Sequence, residues 1–219
     1  MTLAILLIAV PVAFTALFAI LGKVFAYPAI LRQPAGEVLD RFAAGGSRLV
    51  LIWWAFAMTA IAFIPIAVGV AAYLGDGVLA QSSTVVGVLA ALVQALGLIR
   101  WPFLVPFLAR EREKNPQVVD LVFEVANRYF GIAVGEHLGY LLTGAWTILV
   151  SVALLPIAPL WFAIAGIVVG ASLLFGALEF VGPAEPKGWA LAGTVVSIGY
   201  TAWAVWLVVG GVLLLVSGR

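Results

Sequence analysis

Long apolar stretches alternate with short polar segments along the whole chain. Six of these stretches predict membrane-spanning helices, because about 20 apolar residues in a helix cross the core of a bilayer. They cover about residues 3–22, 49–74, 83–108, 130–155, 160–181 and 189–216. The pattern predicts an all-α fold, an integral membrane bundle of six transmembrane helices that forms a single transmembrane domain over residues 1–219.

Two of the polar segments carry amphipathic pieces. In Gly36–Ala44 the charged residues lie on one side of a helix and the apolar residues opposite, and in Gln117–Arg128 polar residues recur at helical spacing. Asn115 and Pro116 suit the cap and the first residue of the second piece. We expect both pieces to be cytoplasmic interfacial helices that lie on the membrane surface.

Glycines and prolines mark where helices are expected to end or bend. The pair Gly45-Gly46 is expected to end the first amphipathic piece. Pro65 predicts a kink in the second span, since proline removes a helical hydrogen bond. Pro102 and Pro106 predict a disturbance near the end of the third span.

The amino-acid composition excludes several classes of functional site. The chain is 65% hydrophobic and 10% charged, with one histidine, no cysteine and a net charge of +1. These values exclude disulfides, thiolate metal centres, multi-histidine metal sites and a general affinity for nucleic acid, so no metal, cofactor or nucleic-acid partner is expected. The eight tryptophans fall mostly near predicted helix ends, which favours an interfacial belt.

Basic residues predict the orientation. Four lie between the first and second spans, four between the third and fourth, and Lys187 lies between the fifth and sixth. Because basic residues of short loops stay in the cytoplasm, these loops are expected to be cytoplasmic and both termini to lie on the outer side. Small size and a preference for arginine over lysine favour a multi-pass protein of a bacterial plasma (inner) membrane.

The fourth stretch carries the most informative polar residues, Glu136 and the single histidine, His137. At about 100° per residue, Glu136, Tyr140, Thr143 and Thr147 share one stripe of a helix. A carboxylate facing lipid costs at least ~2.5 kcal/mol, so the stripe is expected to face the bundle interior or a water-filled cavity. Two alternatives stand: a functional site, or a structural hydrogen bond between helices.

Other helices offer partners for this stripe. Arg100 is predicted at a similar depth and either pairs with Glu136 or extends to the headgroups. Ser197 and Thr201 share one side of the sixth span and supply hydroxyl groups. His137 either exchanges protons or is hydrogen-bonded to a neighbouring helix.

Glycines recur every fourth residue in two spans. Gly131, Gly135 and Gly139 lie in the fourth span, and Gly166 and Gly170 in the fifth. Such spacing forms a shallow groove that lets another backbone approach closely, so these glycines are expected to be helix-packing positions.

A short segment around Glu136 resembles a known family. Residues Tyr129–Thr147, which read YFGIAVGEHLGYLLTGAWT, look like a segment of uncharacterised bacterial membrane proteins in the domain-of-unknown-function family 4386. The resemblance implies a bacterial multi-helix membrane protein. It supplies no activity and no catalytic residue.

Three functions are compared. The first is binding or transport of a small solute, ion or lipid at a cytoplasm-facing intramembrane site that Glu136, His137, Arg100 and the nearby hydroxyls form. The alternative is a non-catalytic accessory or assembly protein whose glycine grooves pack against a membrane-protein partner or a second copy. An enzyme has the least support, because the sequence lacks a paired-aspartate motif, a metal-ligand set and a serine–histidine spacing. No catalytic residue is assigned, and the bilayer is the one certain partner.

Overall fold

The computed structural model describes residues 1–185 and 187–217, which form helices and turns with no strand among them. The α-helices in chain order are α1 (Thr2–Phe25), α2 (Ala35–Ile61), α3 (Phe63–Leu74), α4 (Val78–Glu111), α5 (Pro116–Ala126), α6 (Gly139–Leu154), α7 (Leu160–Gly176) and α8 (Ala190–Ser217). A π-helix, Asn127–Leu138, joins α5 to α6, and short 3₁₀ turns cover Ala29–Arg32 and Gly182–Ala184. The predicted all-α class is confirmed.

Among the described residues, five helical stretches are long and apolar enough to cross a membrane, as in a multi-pass membrane protein. They are Thr2–Phe25, Ala35–Leu74, Val78–Glu111, Pro116–Leu154 and Ala190–Ser217. The helix α7 is also apolar but has only 17 residues. It ends at Gly176, before the predicted boundary at 181, because the chain turns over residues 177–180.

The helices break at two places that glycine and proline explain. Gly46 has φ 55° and ψ −157°, a left-handed region that favours glycine, and it separates the amphipathic start of α2 from its apolar part. The second break falls at Ala62, between α2 and α3. Pro65 has no N–H to bond the carbonyl of Ile61, so the helix is weakest at that point.

The disturbance predicted at Pro102 and Pro106 was wrong, because α4 continues through both prolines to Glu111. Each proline removes one backbone hydrogen bond, but this part of the helix is held by packing. Trp101 and Val105 are buried against the neighbouring helices.

Arg112 joins the two amphipathic helices. Its Nε donates to Asp120 Oδ1 on α5 at 2.7 Å, and its Nη1 donates to Asp40 Oδ1 on α2 at 2.8 Å. The bonds to Asp120, and secondarily those to Asp40, raise the pKa of Arg112. Because Arg112 directly follows α4, it ties both amphipathic helices to the same end of the bundle.

Aromatic residues fill two buried clusters. In the cluster near the basic loops, Trp53 and Trp101 stack with ring centroids 4.4 Å apart. In the second cluster, Trp146 contacts Phe63 edge-on at 4.8 Å. Trp53, Trp101 and Trp146 are each 0% exposed, so the expectation of an interfacial belt was wrong for them. Burial of their large apolar rings inside the bundle stabilises the packing of the helices.

Candidate functional site

The segment that carries Glu136 and His137 is the π-helix, which packs closely on α4. Its hydrogen bonds join residues five apart, so its turns are wider than those of an α-helix. The two backbones meet at Gly97 and Gly135. A Cβ added to Gly97 would lie 2.6 Å from the Cα of Gly135, so the crossing requires glycine there.

The guanidinium of Arg100 is buried and engaged by the protein itself. Arg100 is 9% exposed and donates to the carbonyl of Gly97 and, through Nη2, to Asn127 Oδ1 at 2.9 Å. Its Nε is enclosed without a hydrogen-bond partner among the described residues. Gly131 leaves room for this arrangement, since a Cβ there would lie 2.6 Å from Nη2.

Arg100 therefore adopts neither of its two expected arrangements. No ion pair joins it to Glu136 within residues 1–185 and 187–217, and it does not extend to the membrane surface. Asn127 accepts the hydrogen bond in place of a carboxylate.

A cavity of about 360 Å³ opens beside Glu136, and we call it the polar cavity. Arg100 and Tyr140 also line it. The rest of the lining comes from α1, the loop after it, α2, α4, the π-helix and α8: Phe14, Thr15, Phe18, Tyr27, Pro28, Phe56, Gln94, Gly97, Leu98, Gly131, Gly135, Val196, Ser197, Tyr200 and Thr201. Within the described part of the chain, the Glu136 side chain forms no hydrogen bond, so its carboxyl oxygens are available to a ligand.

Thr143 and Thr147 lie outside the polar cavity. Both are 0% exposed and are bonded to other helices. Gln94 Nε2 donates to the Thr143 hydroxyl at 3.0 Å, and Trp203 Nε1 donates to the Thr147 hydroxyl at 3.0 Å. These two threonines thus join α4 and α8 to α6, so they act as structural hydrogen-bonding groups.

His137 also lies outside the cavity. Its Nδ1 is 2.7 Å from the carbonyl oxygen of Ala177, in the turn after α7. A carbonyl can only accept, so Nδ1 carries the proton in this contact. The bond holds the π-helix to the end of α7 and matches the expected hydrogen bond to a neighbouring helix.

Ser197 and Thr201 line the polar cavity from α8, on its exposed side. Their hydroxyls donate to carbonyls of their own helix, Ser197 to Gly193 at 2.8 Å and Thr201 to Ser197 at 3.1 Å. Each hydroxyl oxygen can still accept a bond from a ligand.

The family model of a domain of unknown function, DUF4386, matches residues 3–211. The chain belongs to this family. The match covers almost the whole chain, far beyond the segment 129–147 that carried the resemblance. No curated protein and no solved structure shows significant similarity to it.

The glycines predicted for helix packing are used inside this DUF4386 protein. Gly139 faces the side chain of Gln94, as Gly131 and Gly135 face α4. Gly170 lies against the backbone of Gly144, where an added Cβ would be 2.7 Å from the carbonyl oxygen, and Gly166 faces Ser151 and Trp206. The grooves therefore receive helices of the same chain.

Sequence reasoning missed three residues of the DUF4386 site. Gln94 accepts a bond from the Tyr200 hydroxyl at 3.3 Å, and Asn127 holds Arg100. Gln94 is a polar residue inside an apolar span, which is a usable signal. Tyr200 and Asn127 gave no such signal. Aromatic residues occur in any span, and Asn127 fits the amphipathic pattern of residues 117–128.

A second cavity of about 330 Å³ lies at the opposite end of the DUF4386 bundle. Its walls are mostly apolar and include Leu3, Leu7, Phe162 and Trp206. No charged side chain of the described residues lines it. Its polar groups, such as the Tyr73 hydroxyl and the Trp146 Nε1, are neutral among the described residues, whereas the polar cavity holds two ionisable groups and is the stronger candidate for a site.

Proposed function

We propose that this DUF4386 protein binds a small solute or lipid-like molecule in the polar cavity, as a membrane binding or transport protein. The observation that carries the proposal is the Glu136 carboxyl, which lines a cavity of about 360 Å³ and has no protein partner among the described residues. An acidic group within a span is costly and marks a functional site by default.

The free-energy cost of placing the Glu136 carboxyl within a span argues for a role beyond packing. A structural carboxyl would be expected to bond a neighbouring helix, as Thr143 and His137 do. Arg100, the partner expected from the sequence, is held by Asn127 instead. A site that keeps its carboxyl free for a ligand explains both arrangements.

The proposal places six spans in a bacterial plasma membrane. At about 1.5 Å per residue the 17 residues of α7 reach about 26 Å, close to the thickness of the hydrocarbon core, so α7 serves as the fifth of the six. The start of α2 and α5 then lie on the cytoplasmic surface with the basic loops, and both termini lie outside. The polar cavity reaches Tyr27 and Pro28, at this cytoplasmic end.

The decisive experiment compares what the purified protein retains. Small molecules extracted from the native chain are identified by mass spectrometry and compared with those from Glu136→Gln and Glu124→Gln. Glu124 is an exposed carboxylate on α5, outside the cavity, and serves as the matched control. We expect a species that the native chain and Glu124→Gln retain and Glu136→Gln loses. Retention of the same species by Glu136→Gln would contradict the proposal.

An assembly function has less support, because the predicted glycine grooves receive helices of the same chain. A membrane-protein partner or a second copy would have to use another surface. For an enzyme, no described side chains form a nucleophile–base pair in the polar cavity, and no catalytic residue is proposed.

A further inference from the structure

The free carboxyl of the polar cavity can bind a positively charged ligand. Arg100 uses one N–H of each terminal nitrogen, to Gly97 and to Asn127, and its Nε is enclosed. Among the described residues the Glu136 carboxyl has no hydrogen-bond partner, so both of its oxygens can accept from a ligand. A protonated amine or another organic cation is a ligand that this carboxyl can bind.

Aromatic rings form a continuous wall of the polar cavity. Ring centroids lie 5.3 Å apart between Tyr140 and Tyr200, 6.2 Å between Tyr200 and Phe14, and 5.0 Å between Phe14 and Phe56. All four rings line the polar cavity. Aromatic faces attract organic cations, and several rings around one carboxylate are typical of sites for ammonium groups.

The polar cavity opens sideways between α1 and α8. The lining residues Thr15 and Phe18 on α1 and Ser197 and Thr201 on α8 are all exposed. Thr15 lies ten residues before the end of α1, about 15 Å along its axis, which is the middle of a bilayer about 30 Å thick. The opening therefore faces lipid.

The same two helices touch at their other ends. A Cβ added to Gly211 on α8 would lie 2.8 Å from the carbonyl oxygen of Ala4 on α1. This close contact holds α1 and α8 together at one end. The space between the two helices therefore lies toward the polar cavity.

From these observations we propose that the polar cavity takes an amphiphilic organic monocation, a protonated amine or a quaternary ammonium, which enters from the lipid phase between α1 and α8. The inference rests on the proposed function of the site and names its ligand class and route. The charged group lies between Glu136 and the aromatic wall, and the apolar part leads out through the opening.

Inorganic cations fit the site poorly. A calcium ion needs six to eight oxygen ligands, and no group of three or more acidic or histidine side chains in the described ranges could hold a metal ion. Aromatic rings serve a weakly hydrated organic cation, which has no such requirement.

The test uses the full chain in nanodiscs of zwitterionic lipid. Three probes share one apolar part and differ in charge: phenylbutyltrimethylammonium, phenylbutanol and phenylbutanoate. Binding is measured as a saturable rise in the thermal unfolding midpoint of the native chain, Glu136→Gln and Glu124→Gln. We expect the ammonium probe alone to bind, with affinity reduced roughly tenfold or more by Glu136→Gln and unchanged by Glu124→Gln.

The route is tested with two bulky substitutions on α8. Ser197→Trp fills the opening, whereas Ile198→Trp places the same ring at an exposed neighbour that does not line the cavity. We expect Ser197→Trp to slow association of the ammonium probe and Ile198→Trp to leave it unchanged. Equal association rates in the two variants would overturn the route.

The remaining outcomes separate the two proposals. Binding of phenylbutanol or phenylbutanoate that Glu136→Gln abolishes, without binding of the ammonium probe, would overturn the cationic ligand and leave the proposed site in place. Binding of the ammonium probe that persists in Glu136→Gln, or no binding of any probe, also overturns this inference. The retained-molecule comparison of the proposed function is independent of these probes.

Discussion

Arg100 is held by Asn127, whose side-chain oxygen lies 2.9 Å from Nη2, and not by Glu136. This relationship separates the two ionisable groups of the polar cavity. Both terminal nitrogens of the guanidinium bond to the protein, and the carboxyl is left for a ligand. The π-helix makes this separation, since it carries both Asn127 and Glu136.

Removal of the Asn127 acceptor is expected to destabilise the fold. Asn127→Leu leaves a buried guanidinium without its side-chain partner, which we expect to lower the free energy of unfolding by about 1–3 kcal/mol. The measurement is denaturant unfolding in mixed micelles. Asn115→Leu is the control, because Asn115 is exposed and its side chain makes no capping bond. Equal losses in the two variants would contradict the role of Asn127.

The contact of Gly97 with Gly135 is expected to tolerate no side chain. Gly97→Ala places a Cβ 2.6 Å from the Cα of Gly135, and separating the two backbones is expected to cost about 1–3 kcal/mol of stability. Gly22→Ala is the control, since a Cβ there meets only the Tyr27 carbonyl at 3.4 Å and alanine favours the helix. Thermal unfolding of both variants checks this. If Gly22→Ala is destabilised and Gly97→Ala is as stable as the native chain, the close contact between the Gly97 and Gly135 backbones is contradicted.

Arg112 is expected to make a small, salt-dependent contribution to the free energy of unfolding. Lysine cannot donate to Asp40 and Asp120 in the same planar geometry, so Arg112→Lys is expected to lose up to about 1 kcal/mol at low salt and less at high salt. The free energy of unfolding at two ionic strengths measures it. Lys114→Ala, at an exposed surface pair, should change less. A loss that does not depend on salt would contradict an ionic role.

The proposed orientation can be tested without removing native thiols, because the chain has no cysteine. Lys114→Cys at the basic end and Asp76→Cys at the opposite end are both exposed positions. A membrane-impermeant maleimide applied outside intact cells should label Asp76→Cys alone. Labelling of Lys114→Cys from that side would reverse the orientation.

Much of the fold follows from apolar patterning. A stretch such as Thr2–Phe25 has to be a helix in lipid, since only a helix satisfies its own backbone hydrogen bonds there. Gly46 and Pro65 marked the two breaks within Ala35–Leu74 for similar local reasons.

The site depended on features that local patterns do not carry. An ideal α-helix placed Glu136, Tyr140, Thr143 and Thr147 in one stripe, but only the first two line the cavity. Gln94 and Trp203 from other helices bond to the two threonines and enclose them. The bond from Arg100 to Asn127 joins residues 27 apart and depends on the crossing at Gly97. Such contacts are set by tertiary packing, which hydropathy does not encode.

The most direct test of the account is the reactivity of single cysteines around Glu136. Tyr140 lines the polar cavity, whereas Thr143, one turn further along α6, is 0% exposed and bonded to Gln94. A small cationic methanethiosulfonate reagent should modify Tyr140→Cys in the folded protein under conditions that leave Thr143→Cys unmodified. If Tyr140→Cys is as inert as Thr143→Cys, the cavity beside Glu136 is closed and the account is contradicted.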